Sequence, residues 1–201
     1  MNTRVLSRYL LTLTLLAPAV PAAAAPPSRA AAAADAISRI HIDNFGRVSN
    51  TYFRGAQPQG HDFADLAAAG VKTIINLTSD DASATESAMT QAAGMKYVQI
   101  PMTTHTVPTP AQIAEFLHIV SDPASQPVYV HCVGGRHRTG GMTAIYRMAG
   151  DGWSPAAACA EMKQYKFGAD FLHAEFKDFV MSYHAAAAPA SAVAAKAGGL
   201  S

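Results

Sequence analysis

The chain has 201 residues, with 15 Lys plus Arg against 14 Asp plus Glu and a formal net charge of +1. That length supports one domain with tails and one sizeable core. The balanced charge excludes a global field for drawing nucleic acid or an anionic membrane surface, so any strong positive potential must be local. Alanine tracts at both ends inflate the apolar share.

Residues 1–25 read as an export signal. Arg4 and Arg8 form a basic start, Tyr9 to Leu16 a short apolar run, and Ala22 to Ala25 a set of small-residue cleavage sites. With Pro18 and Pro21 closing it, the run falls far short of the roughly 20 residues a spanning helix needs. The expectation is cleavage near Ala24 or Ala25, and a periplasmic or secreted protein with no stable membrane insertion. Residues 26–36, rich in Ala and Pro, are expected to be a disordered linker. Folded sequence is expected over residues 37–184, followed by a disordered Ala-rich tail over 185–201.

Within the folded part, Asn44 to Val48 and Tyr52 to Pro58 read as a short hairpin or a pair of edge strands, ending in a turn at Gly55 to Gly60. A helix fits Asp62 to Ala69, with Phe63, Leu66 and Ala67 on one face and Gly70 as its stop. Val71 to Leu77 is a β-branched strand expected to be buried on both faces. A polar loop, Thr78 to Ala84, leads to a helix from Ala84 to Ala93, and Tyr97 to Met102 is the next strand. Thr109-Pro110-Ala111-Gln112 starts a helix with a threonine cap, a first-turn proline and glutamine at the capping-box position. Ile113, Phe116, Leu117 and Val120 then recur at helical spacing.

The apolar strand Pro127-Val128-Tyr129-Val130 follows, then His131 to Gly140, then an apolar helix from Met142 to Met148 that stops at Gly150. Ser154-Pro155 opens another helix reaching Met162 and Tyr165. A last one, Asp170 to Tyr183, is expected to bury Leu172, Phe176, Phe179 and Tyr183. Strand and helix alternate from Val71 to Ala149, so the fold class is α/β: a single domain with a parallel-rich central sheet flanked by helices. Ligands in such sheets bind beyond the strand C-termini. The loops at Thr78 to Ala84, Met102 to Pro108 and His131 to Arg138 share that edge.

The stretch His131-Cys132-Val133-Gly134-Gly135-Arg136-His137-Arg138-Thr139-Gly140 is where chemistry is expected. A strand, a tight glycine loop and a helix N-terminus stack backbone N–H groups around one point, which attracts a multi-oxygen anion such as phosphate. Cys132 is the strong nucleophile at its entrance. With five residues between them, Arg138 follows and offers a planar fork that matches two phosphate oxygens. Thr139 is placed to donate a hydrogen bond to the sulfur, and His131 to orient the loop through its ring N–H.

This run resembles the His-Cys-x5-Arg-Ser/Thr-Gly pattern of the cysteine-dependent protein tyrosine and dual-specificity phosphatases, with every fixed position matched. Tyr52 to Pro58, Val71 to Leu77 and Ala144 to Arg147 resemble the compact bacterial dual-specificity-like branch. The resemblance implies phosphate monoester hydrolysis through a phosphocysteine, on a phosphorylated protein or a small phosphorylated substrate, inositol phosphates included. It implies neither metal nor cofactor. A helix N-terminus, loop amides and an adjacent arginine lower a cysteine pKa from ~8.5 to between roughly 3.5 and 7.5. The backbone of Val133, Gly134, Gly135, Arg136 and His137, together with Arg138, would hold the equatorial oxygens.

The family also places an aspartate, as general acid, on a loop upstream of the cysteine. Here that loop reads Pro101 to Pro108 and carries no carboxylate. His105 is its only titratable group, and Asp80 and Asp81 on the neighbouring loop are alternatives. The remaining reading is that no acid exists and phosphates with good leaving groups, such as phenols or phosphoanhydrides, are favoured. Arg136 and His137 fit either contact with a second phosphate or a solvated loop face. Arg54 fits a structural ion pair at a strand end better than a substrate contact. Cys159 reads as a small buried apolar residue, with a reversible bridge to Cys132 as the lesser alternative. Two other functions remain open: a rhodanese-type sulfurtransferase, whose usual loop is one residue shorter, and a non-catalytic phosphate-binding module. A nucleotide-binding loop is excluded, since no Gly-Lys-Ser/Thr follows the glycines.

Overall fold

The computed structural model describes residues 28–79, 82–168 and 174–184. Among these are five strands: β1 (Gly46–Ser49), β2 (Tyr52–Gly55), β3 (Thr73–Thr78), β4 (Lys96–Met102) and β5 (Val128–His131). They form one sheet in the order β1-β2-β5-β3-β4. β1 pairs antiparallel with β2, and every other pairing is parallel. The expected hairpin is therefore present, but of its two strands only β1 lies at an edge of the sheet. β2 lies inside the sheet, with Gly55 level with His131 of β5.

Helices cover both faces, which is why the inner strands read as unbroken apolar runs. Side chains alternate along each strand, so Tyr52, Ile75, Val128 and Val130 point into one core with Phe116, Ile145, Met162 and Phe176. Their neighbours Phe53, Ile74 and Tyr129 point into the other, with Ala36, Phe63 and Leu66. The first core lies under α4 (Pro110–Ser121), α5 (His137–Gly150), α6 (Pro155–Gln164) and α7 (Ala174–Ser182). The second lies under α1 (Arg29–Ser38), α2 (Asp62–Ala68) and α3 (Glu86–Ala92). No helix among the described residues is long and apolar enough to cross a membrane.

The capping box at α4 is made in full: Thr109 Oγ1 accepts from Gln112 N at 3.3 Å, and Gln112 Oε1 accepts from Thr109 N at 2.8 Å. α5 is poor helix sequence, with Gly140 and Gly141 each costing about 1 kcal/mol relative to alanine. It holds through burial instead, with Met142, Ala144 and Ile145 almost wholly enclosed. A Cβ on Gly141 would come within 3.1 Å of Phe176, so the glycine sets how closely α7 approaches.

Two expectations change. Residues 28–36, expected within a disordered linker, belong largely to α1: Ser28 caps the helix by accepting from Ala31 N, and Ala36 is buried against the second core. An alanine run has the highest intrinsic helix propensity, and a core contact is enough to fix it. In α7 the residues sealed in the core are Phe176 and Val180, whereas Phe179 and Tyr183 only pack against its rim. Leu172 lies outside the described residues, as do residues 1–27 and 185–201.

Candidate active site

β2, β3, β4 and β5 all end at one edge of the sheet, and the loop from Cys132 to Arg136 rises from the centre of that edge. His137 begins α5, with Arg136 at the N-cap position and no side chain capping the helix. The first-turn N–H groups are therefore open toward the loop.

The loop carbonyls are anchored from behind. Gln57 N donates to Val133 O at 3.0 Å. Gly135 O accepts two strong donors, Asn44 Nδ2 at 2.8 Å and Arg54 Nη2 at 2.6 Å, which uses both of its lone pairs. In a planar trans peptide the carbonyl of one residue and the N–H of the next point in opposite directions. Pulling the carbonyls of Val133 and Gly135 outward thus turns the N–H groups of Gly134 and Arg136 into the loop. Gly135 itself has φ +64°, and a Cβ there would sit 2.3 Å from Gly55 O. Only glycine fits.

Within this cradle Cys132 is 3% exposed and Arg138 2%. They line an open cavity of about 430 Å³ together with Thr104, Val133, Arg136 and His137. Arg138 Nη1 donates to Met102 O at 3.0 Å, so the guanidinium is held against the end of β4. Both cysteines are free and buried. The expected hydrogen bond from Thr139 to the sulfur is not made: Thr139 Oγ1 is buried with no partner among the described residues.

His131 Nε2 lies 2.6 Å from Glu86 Oε1, and both side chains are sealed from solvent. The other carboxylate oxygen accepts from Asn76 Nδ2 at 2.8 Å and Gln57 Nε2 at 3.0 Å. Asn76 is fixed in turn, its Oδ1 accepting from Thr78 N at 2.7 Å. This network ties α3, β3 and the β2–α2 loop to the residue preceding the nucleophile. Sequence reasoning missed Glu86, Asn76 and Gln57. The available signal was Asn76, a polar residue in an otherwise buried strand, because such a group must find partners.

Among the described residues Arg54 makes no ion pair, contrary to expectation. It is fully buried behind the loop, with its guanidinium carbon 4.0 Å from the centroid of the Tyr165 ring. Burial pushes its pKa below the ordinary arginine value. Asn44, also missed, bridges Gly135 O to Tyr165 O. Burial pushes the Tyr129 phenol well up, and its hydroxyl donates to Ala56 O at 2.6 Å behind the same wall.

The rim is charged. Arg136 Nη2 lies 3.9 Å from Asp43 Oδ2, and Lys166 Nζ lies 2.5 Å from Asp43 Oδ1. That Lys166 hydrogen bond holds the Asp43 carboxyl below the usual range. His137 packs edge-on against Phe167 and accepts from Gly168 N at 3.4 Å. His105, the candidate acid, is exposed and does not line the cavity, whereas Thr104 does. Asp80 and Asp81 lie outside the described residues. No carboxylate among the described residues lines the cavity.

Residues 38–179 match the family described as a DSP-PTPase phosphatase fused to NAD+ kinase, which is well over half of the chain. The chain is 30% identical over 125 residues to the dual specificity protein phosphatase TpbA of Pseudomonas aeruginosa strain UCBPP-PA14, covering 62% of this chain and 56% of that protein. It thus spans little more than half of TpbA's length. The crystal structure of P. aeruginosa TpbA superposes with a TM-score of 0.61 at 28% identity, covering 71% of this chain and 86% of that one. The core catalytic domain of the PP-IP phosphatase SIW14 from S. cerevisiae matches with a TM-score of 0.61 at 25% identity, over 71% of this chain and 87% of that one.

Proposed function

This chain belongs to the DSP-PTPase phosphatase family, and from that premise we propose that it hydrolyses phosphate monoesters through a phosphocysteine on Cys132. The observation that carries the proposal is the outward anchoring of the Val133 and Gly135 carbonyls, which turns peptide N–H groups toward the cavity that Cys132 and Arg138 both line. The sulfur attacks phosphorus in line, a sulfur–phosphorus bond forms, and the bond to the leaving oxygen breaks. Water then attacks the phosphocysteine, releasing phosphate and restoring the thiol. The inward amides and Arg138 stabilise the charge spread over the three equatorial oxygens.

Substrates with good leaving groups suit this site, because no carboxylate among the described residues lines the cavity to protonate the departing oxygen. Phosphotyrosine and phosphoanhydrides fall in that class. A TpbA structure holds phosphotyrosine, and the yeast relative is named an inositol diphosphatase. Both names support the reading over a sulfurtransferase or a non-catalytic binder. We also place the protein in the periplasm or outside the cell, on the strength of residues 1–25 alone. Recovery from the cell exterior of a chain lacking that segment would support this placement.

The test is hydrolysis of p-nitrophenyl phosphate, a phosphotyrosine peptide and an inositol pyrophosphate by the full chain and by Cys132→Ser. The proposal requires turnover of at least one by the wild type and none by the variant. Full hydrolysis by Cys132→Ser, or sulfur transfer to cyanide with no phosphate release, would overturn it.

A further inference from the structure

We propose that Arg54 is a positioning residue whose charge the loop's bound anion neutralises: a buried cation behind the Gly135–Arg136 peptide, waiting for its counter-charge. The inference deepens the phosphatase reading and rests on it. Arg54 is wholly enclosed, and a buried charge without a partner is strongly unfavourable. Yet no carboxylate among the described residues pairs with it. Its Nε and Nη1 have no hydrogen-bond partner there; Nη2 donates to Gly135 O, and beyond that the guanidinium meets only the face of the neutral Tyr165 ring.

The groups whose charge favours the ionised guanidinium are led by Tyr52, Tyr165, Glu161 and Cys132, and the Tyr165 ring centroid lies 4.0 Å from its carbon. Two of these are phenols. The Glu161 carboxylate is already taken by Arg147, with contacts at 2.7 and 3.1 Å. Of these four only Cys132 lines the cavity, so the sulfur brings with it whatever oxyanion the cavity binds. The connection to that anion is direct. Arg54 and Asn44 saturate Gly135 O, the carbonyl of the peptide whose N–H, on Arg136, faces the loop interior. A cation on the carbonyl end polarises the N–H end of the same peptide and strengthens its bond to an anion. By linkage, the anion must stabilise the buried guanidinium to the same extent.

The experiment compares Arg54→Gln, which keeps an N–H donor but is neutral, with Arg54→Lys, which keeps the charge. Orthovanadate is the probe, read as its inhibition constant against p-nitrophenyl phosphate and as the shift in melting temperature it produces in the full chain. The expected result is vanadate affinity weakened by about tenfold or more in Arg54→Gln but within about threefold of wild type in Arg54→Lys, as a through-space charge effect requires. The vanadate-induced melting shift should shrink in Arg54→Gln alone.

Equal affinities in the two variants, whether both preserved or both lost, would overturn the proposal by making Arg54 a neutral bracket. Should Arg54→Gln not fold, Arg54→Lys decides: a native melt with vanadate affinity lost by more than about tenfold would overturn it. A wild type that neither hydrolyses the substrate nor binds vanadate would instead remove the phosphatase reading on which the proposal stands.

Discussion

Glu86 and His131 touch at 2.6 Å in a part of the protein that water does not reach. One sits on α3, the other at the end of β5, immediately before the nucleophile. A carboxylate so placed organises four elements at once, since Gln57 and Asn76 also donate to it.

Removing it should be costly. Glu86→Ala leaves His131, Asn76 and Gln57 facing a cavity, and each buried group left without its partner costs about 1–3 kcal/mol. The melting temperature should fall by on the order of 10 °C. A calorimetric melt within a degree or two of wild type would show that the network does not hold the loop.

Gly135→Ala should be worse for activity than for folding. The left-handed φ costs a non-glycine residue about 1–2 kcal/mol, and the new Cβ meets Gly55 O at 2.3 Å. Relief requires the loop to move off β2, which disturbs the carbonyl anchors. We expect hydrolysis to drop by about a hundredfold or more, as misplacement of about 1 Å does, while the circular dichroism spectrum stays native.

Asp43 gives a pH test with a definite sign. Its folded pKa is lowered from 3.8, chiefly by the Lys166 hydrogen bond. A carboxylate depressed in this way adds stability above its unfolded pKa and loses it as pH falls through the folded value. Asp43→Asn should therefore melt slightly below wild type at neutral pH, and the two should converge below the folded pKa, under 3.8. Because the pair is exposed, added salt should shrink the difference. A difference that grows toward acid would contradict the pairing.

His105→Ala should leave aryl phosphate hydrolysis within about threefold of wild type, since a general acid contributes 10²–10⁴-fold and this side chain lies outside the cavity. A drop of a hundredfold with loss of the acidic pH limb would place it in the chemistry.

The parts legible in sequence were those whose physics is local. Thr109 and Gln112 are three residues apart, and their capping box reads directly from the chain. The motif from His131 to Gly140 is likewise continuous. Burial of β3 and β5 followed from their composition. What escaped was held by residues distant in sequence and unremarkable in type: Asn44 reaches Gly135 across 91 positions, and Arg54 across 81. Neither carries a local pattern that announces a loop anchor. The helix α1 escaped for another reason. An alanine run is neutral between linker and helix until a core is present to receive Ala36. Likewise, composition alone could not say whether Thr104 or His105 faces the cavity.

The most direct measurement is iodoacetate labelling of Cys132 and Cys159 in the full chain, followed by peptide mass spectrometry, with and without phosphate or vanadate. Cys132 should label with loss of hydrolysis in step, and both oxyanions should protect it saturably, while any labelling of Cys159 should ignore them. Labelling of Cys132 that is indifferent to oxyanions, or hydrolysis that survives its complete modification, would contradict a sulfur seated in an anion cradle.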